Sequence, residues 1–204
     1  YLYSLTPDIE VASIDECYID YTKVKKLYGD ELDFAKRIKK DIKEKFGFTV
    51  NVGIGNNKLT AKMASDFEKP DKIHTLYDYE VESKMYSLPI SDLFGIGKKT
   101  TEKLQEMGVK LIKDLANYDY NSLKKVFKNQ AIDMINAAKG INYDEVESKY
   151  IINKGISNEI TLITDVIDDY VIFENLLYLS ELVGYRIRKI NKYASTIAVI
   201  IKTN

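Results

Sequence analysis

The sequence is poor in the residues that build covalent or soft-metal frameworks. Its 204 residues include one cysteine, one histidine, three prolines and no tryptophan. A single cysteine excludes an internal disulfide framework and any multi-cysteine zinc site. With one histidine beside it, no metal site can rest on nitrogen or sulfur ligands. A catalytic metal would need carboxylates and would be a hard cation such as magnesium, calcium or manganese. No apolar run approaches the ~20 residues of a membrane span. No basic-plus-apolar leader is visible at Tyr1, so a cytoplasmic protein without a membrane partner is expected. A dominant charge is also lacking: 30 Lys and Arg against 31 Asp and Glu leave a net charge of -1. That excludes a basic coat for nucleic acid but leaves local contacts open. What is present is a 45% hydrophobic fraction, in the globular range, and length for one to three domains.

Periodicity divides the chain into three segments. Residues 1–76 alternate strand and helix signals. Ile9 to Ile14 and Tyr18 to Tyr21 read as strands, and Leu32 to Phe46 as a helix with Phe34, Ile38, Ile42 and Phe46 on one face, ended by Gly47. Thr49 to Ile54 is a β-branched strand, Asn57 to Phe67 a helix, and Lys72 to Leu76 a closing strand. This pattern predicts an α+β arrangement with helices on one face of a sheet. Residues 77–145 show only short helical runs broken by glycines. Residues 146–154 read as a linker. Residues 155–204 predict a strand near Gly155 to Leu162, a long helix with Ile172, Leu176, Leu179, Val183, Ile187 and Ile190 on one stripe, and a strand over Ser195 to Ile201.

Three local features carry chemistry. Asp15 and Glu16 are adjacent acids between two strand-like runs. They are either a solvated hairpin turn or a pair whose repulsion a divalent cation would relieve. Lys58 opens a helix, where unpaired amides favour an anion; it is either an ordinary solvated lysine or a phosphate contact. In Gly95-Ile96-Gly97-Lys98-Lys99 the glycines allow a tight turn, and two lysines occupy a first helical turn that ordinarily prefers acids. This is either a helix connector or a backbone-phosphate site that carries no base specificity. Asp20, His74 and Cys17 are expected to be structural, with Cys17 reduced and buried.

Taken together, these strings resemble the Y-family (UmuC/DinB-type, translesion) DNA polymerases. Ser13-Ile14-Asp15-Glu16 followed by Tyr18-Ile19-Asp20 resembles the catalytic signature of that family. Asn57-Lys58, Ala61-Lys62, Ala64-Ser65 and Lys69-Pro70 resemble its lysine-bearing segment. Phe94-Gly95-Ile96-Gly97 with Thr101, Leu104 and Gly108 is similar to its helix-hairpin-helix thumb, with Phe94 where the family usually has proline. Lys154-Gly155-Ile156-Ser157 is similar to the opening of its little finger.

The resemblance implies a palm at 1–76, a helix-hairpin-helix thumb at 77–145, a linker at 146–154 and part of a little finger at 155–204. It implies nucleotidyl transfer with two Mg2+ ions, Asp15 and Glu16 as ligands, Lys58 on the nucleotide phosphates and Gly95 to Lys99 on DNA. The implied partners are primer–template DNA, a dNTP and a sliding clamp reached through a tail. An earlier metal-binding aspartate, a sugar-selecting aromatic and a fingers domain also belong to the family and are not in this sequence. The chain is therefore expected to be part of a longer protein and inactive by itself. Two other functions fit fewer of the features: a non-catalytic helix-hairpin-helix DNA-binding module, and a palm-type nucleotidyl cyclase.

Overall fold

The computed structural model describes residues 1–148 and 155–202. Residues 149–154, which include Lys154 and most of the expected linker, and residues 203–204 lie outside the described residues. The chain forms two compact units, Tyr1–Lys149 and Tyr150–Asn204.

In the first unit, β1 (Ile9–Val11) and β2 (Cys17–Ile19) form an antiparallel hairpin with Ile9 opposite Ile19 and Val11 opposite Cys17. Helices α1 (Lys25–Tyr28) and α2 (Glu31–Phe46) follow. Strand β3 (Val52–Gly55), helix α3 (Lys58–Asp66) and strand β4 (Ile73–Leu76) make a β-α-β unit whose strands pair in parallel, Val52 with Ile73 and Gly55 with Leu76. The α+β class holds, but among the described residues the four strands pair two and two rather than in one continuous sheet. The first hairpin is also shorter than expected: the bonded ladder stops at Val11, and Ser13 to Asp15 form the turn.

Local chemistry explains the helix ends. Asp30 caps α2 by accepting from the Leu32 and Asp33 amides. Gly47 closes it at φ 78, a left-handed cap that glycine adopts without steric cost. Phe34, Ile38 and Ile42 are buried as the four-residue spacing predicts. Phe46 is not; it is 54% exposed and lies beside the Tyr1 and Phe48 rings at the helix end, beyond the reach of the core. Around α2 a small core gathers Leu5 and the aromatic rings of Tyr21 and Tyr28, each 4.8 Å from Phe34.

Helix α3 begins with a reciprocal cap: Asn57 accepts from the Thr60 amide while Thr60 Oγ1 accepts from the Asn57 amide. It packs directly on β3. A Cβ on Gly53 would stand 1.9 Å from the Ala61 carbonyl oxygen, and one on Gly55 would stand 2.3 Å from Thr60 Oγ1. The Gly53-Ile54-Gly55 pair therefore serves close helix–strand packing.

The rest of this unit is short elements, among them a 3-10 turn at Ile90–Asp92 and helices α4 (Val81–Lys84), α5 (Lys98–Glu106), α6 (Ile112–Ala116), α7 (Tyr120–Phe127) and α8 (Gln130–Ala138). One apolar core runs through them and into α3 and β4, joining Leu59, Met63 and Leu76 to Ile90, Leu93, Leu104, Leu123 and Ile135. The lysine-bearing helix and the glycine hairpin are thereby packed into one body.

The second unit is built on α9 (Asp169–Lys189), capped by Asp168, which accepts from the Tyr170 amide at 2.9 Å. Ile172, Leu176, Leu179, Val183 and Ile187 are its half-buried stripe, and Ile190 is exposed. The strands expected at 155–162 and 195–201 do not form ladders among the described residues. β-Branched runs report fitness for a pleated surface; a strand additionally needs a bonded neighbour. The 155–162 run is instead tied to α9, through Arg186 donating to the Ser157 carbonyl and to Asn158 Oδ1, both at 2.9 Å. Among the described residues no helix is long and apolar enough to cross a membrane.

Candidate active site and glycine hairpin

The β1–β2 turn is closed by the Glu16 carbonyl, which accepts from the Ala12 and Ser13 amides at 3.0 and 3.1 Å. This leaves Ile14 fully exposed and sets both acids at the open end of the hairpin. Ser13 Oγ donates to Asp15 Oδ1 at 2.6 Å and holds that carboxyl below its ordinary range, so it is ionised. Glu16 Oε1 accepts from Lys62 Nζ at 2.6 Å. Lys62 also reaches Asp66 at 3.2 Å, and its side chain is only 14% exposed. Burial works against its ammonium, but the hydrogen bonds to Glu16 and Asp66 prevail and raise its pKa. Asp20 sits apart from this pair and caps a local turn, accepting from the Thr22 amide and hydroxyl.

Lys58 stands at the first position of α3. Its ammonium donates to both oxygens of Glu10, at 2.6 and 2.8 Å, and lies 5.1 Å from the Tyr18 ring centroid. Sequence reasoning missed Glu10. The available signal was an acid inside an apolar strand, between Ile9 and Val11 and directly opposite Tyr18. Burial pushes the Glu10 carboxyl up, yet the bonds from Lys58 and from the Glu147 amide hold it below its ordinary value. Asn57 was also underread: beyond its cap it donates to the Gly140 carbonyl at 2.8 Å.

The donor set suits a hard cation in kind. Asp15 and Glu16 offer carboxylate oxygens, and magnesium takes few protein ligands beside water and phosphate. Among the described residues no group of three or more metal-ligating side chains occurs.

The glycine hairpin lies between the 3-10 turn at Ile90–Asp92 and α5. The Ile96 amide bonds back to the Leu93 carbonyl at 3.0 Å, and Gly95 takes φ 90, which requires glycine. Gly97 caps α5 at φ -84 with open space at its Cβ position, so its conformation does not require glycine. A glycine cap offers no side-chain acceptor and leaves first-turn amides for a ligand. Ile96 packs on the core, while Lys98 and Lys99 are exposed and form no ion pair among the described residues. Phe94 is half exposed, and its amide donates to Met63 Sδ of α3 at 3.3 Å. Beside the hairpin, Lys99 and Lys103 line a groove of about 420 Å³ with Phe127 and Lys128.

Two residues of the structural set behave differently. His74 packs edge-on against Phe67, with Nε2 3.8 Å from Glu68, in keeping with a structural role. Cys17, expected buried, is exposed.

The impB/mucB/samB family description matches residues 1–66, and the helix-hairpin-helix motif of the same group matches residues 79–109. The chain is 46% identical over 98% of its length to DNA polymerase IV of Clostridium acetobutylicum, covering 50% of that protein. It belongs to the Y family of DNA polymerases. DNA polymerase IV of Alkaliphilus oremlandii is 35% identical, again over 98% of the chain and 50% of the relative. Among solved structures, a Y-family chimera of Dbh and Dpo4 superposes with a TM-score of 0.74 at 30% identity, covering 91% of this chain and 54% of that one. An insertion ternary complex of Dbh polymerase gives 0.66 at 32% identity, with coverage of 91% and 54%. The chain spans about half the length of the curated Y-family relatives it matches.

Proposed function

We propose that this chain is the part of a translesion DNA polymerase that carries two catalytic carboxylates, one phosphate-binding lysine and a DNA-backbone hairpin. In this reading residues 1–76 are palm, 77–145 thumb, 146–154 linker and 155–204 little finger. The observation that carries it is the convergence of α3 on the β1–β2 hairpin: Lys58 reaches Glu10 on β1, and Lys62 reaches Glu16 beside Asp15. Two acids on a sheet edge with two ammonium groups facing them suit a site that must hold divalent cations and a triphosphate together.

Asp15 and Glu16 would hold divalent metal, with magnesium the cation best matched to carboxylate, water and phosphate oxygens. When bound, metal in this position neutralises phosphate charge and favours ionisation of an attacking hydroxyl. The protein's own share is positional. Ser13 keeps Asp15 ionised and aimed outward. Lys62 neutralises Glu16 in the absence of a cation. Lys58 supplies a positive charge for the β- and γ-phosphates of the incoming dNTP. The hairpin amides, with Lys98 and Lys99, hold a strand of primer–template DNA through its phosphates and leave its sequence unread.

The test is primer extension by the full-length protein. Asp15→Ala or Glu16→Ala abolishing extension while duplex binding persists is the expected result. Near-normal extension by either variant would refute the metal assignment.

A further inference from the structure

Glu10 does more than pair with Lys58. Its Oε2 also accepts the main-chain N–H of Glu147 at 2.8 Å, across 137 residues of sequence, and Lys58 itself reaches the Glu145 carbonyl at 3.5 Å. Both side chains are largely buried, 17% exposed for Glu10 and 19% for Lys58. Residues 141–148 form no helix or strand, so this chain segment holds its place through such contacts. Asn57 pins its start at Gly140, and the Glu10–Lys58 pair pins it at 145–147. The segment is acidic: Asp144, Glu145 and Glu147 fall within four residues, and Asp144 acts electrostatically on Glu10. A segment bearing three acids thus touches a half-buried carboxylate through a main-chain N–H, and Lys58 is that carboxylate's counter-charge.

We propose that Glu10 is a positioning residue that makes the 144–147 strap sensitive to the occupancy of Lys58. In the free protein the carboxylate holds the Lys58 ammonium and the Glu147 amide in one cluster. A polyphosphate that draws Lys58 away leaves Glu10 beside Asp144 without a counter-charge. Like charges in a poorly solvated site repel, and the strap leaves β1. The coupling rests on the assignment of Lys58 to nucleotide phosphates under Proposed function.

The test uses the 204-residue chain, inorganic tripolyphosphate as the probe, and hydrogen exchange at the 145–147 amides. Glu10→Gln keeps the side chain's shape, Lys58→Met shortens it by one atom, and both leave the Asn57 cap untouched. In the wild type, saturating tripolyphosphate should speed exchange at Glu147 about tenfold, the order expected for losing one charge-assisted hydrogen bond. Lys58→Met should show the fast exchange without any ligand. Glu10→Gln retains an acceptor for the Glu147 amide and removes the competing charge. It should keep slow exchange when ligand is bound and bind tripolyphosphate about fivefold more tightly, a gain that a merely structural role would not produce. Wild-type exchange at Glu147 in Lys58→Met would overturn the proposal. So would tripolyphosphate binding that depends on Lys58 but leaves the strap protected, although the Lys58 assignment would then stand. Tripolyphosphate affinity unchanged in Lys58→Met, or absent from the wild type, would overturn both.

Discussion

Glu16 and Lys62 are bound at 2.6 Å, and they join the turn that carries the two acids to the helix that carries the two lysines. The contact places a cation beside a carboxylate that is assigned to metal. Lys62 and a metal ion therefore compete for the same oxygen. Lys62→Met should raise the affinity of the chain for Mn2+ by about three- to tenfold, the range for removing one nearby unit charge at a half-exposed site. Electron paramagnetic resonance titration measures this directly. Unchanged or weaker binding would show that Glu16 is not a ligand.

Asp15 and Glu16 differ in their surroundings, and the difference can be tested in the full-length enzyme. Ser13→Ala removes the hydroxyl that holds the Asp15 carboxyl low. It should reduce extension modestly, within about tenfold. Asp15→Ala, which removes a proposed metal ligand, should cost at least about a thousandfold. Steady-state extension rates at saturating Mg2+ separate the two. Equal losses would mean that Ser13 itself touches the reacting groups.

Gly53 makes a purely structural prediction. A methyl group there cannot coexist with the Ala61 carbonyl oxygen 1.9 Å away, so α3 must lift from β3. Gly53→Ala should lower stability by about 3 kcal/mol or more in urea unfolding, in the range of severe overpacking. A loss below about 1 kcal/mol would show that this helix–strand contact yields easily.

The two hairpin glycines should respond differently. Gly95 holds φ 90, so Gly95→Val strains the turn and should weaken duplex binding equally across sequences. Gly97 has ordinary φ and free space, and aspartate is a favourable N-cap. Gly97→Asp should therefore leave folding stability equal or a few tenths of a kcal/mol higher while weakening DNA binding by repelling phosphate. Thermal melting and fluorescence anisotropy on the same sample distinguish the two effects. A sequence-selective loss in either variant would contradict backbone recognition.

The acid limb of stability can be assigned in part to Glu80. Burial raises its carboxyl, but bonds from Lys84 at 2.7 Å, the Tyr77 amide at 2.9 Å and Thr75 at 3.1 Å bring it below its ordinary value of 4.5. A carboxyl depressed in the folded state stabilises fully above its unfolded value. That contribution is lost as pH falls below 4.5 and through the folded-state pKa. Glu80→Gln should lower stability at pH 7 and flatten the decline below pH 4.5, measured by urea midpoints across pH.

The sequence by itself determined the kinds of chemistry open to this protein. One cysteine and one histidine left only carboxylate oxygens for a metal. The four-residue spacing of Phe34, Ile38 and Ile42, with Gly47 after it, specified α2, because a cap and apolar periodicity act within a few residues of each other. The adjacency of Asp15 and Glu16 and the turn at Gly95 were legible for the same reason. Tertiary structure alone decided which charge meets which. Glu10 and Lys58 are 48 residues apart, Glu16 and Lys62 46, and Glu10 and Glu147 137. Gly53 and Gly55 became necessary only when α3 lay down on β3. The β-branched runs at 155–162 and 195–201 mark the same boundary from the other side. Propensity is local and can be read along the chain, whereas a strand, an ion pair or a close packing contact exists only when a second, distant segment supplies its partner.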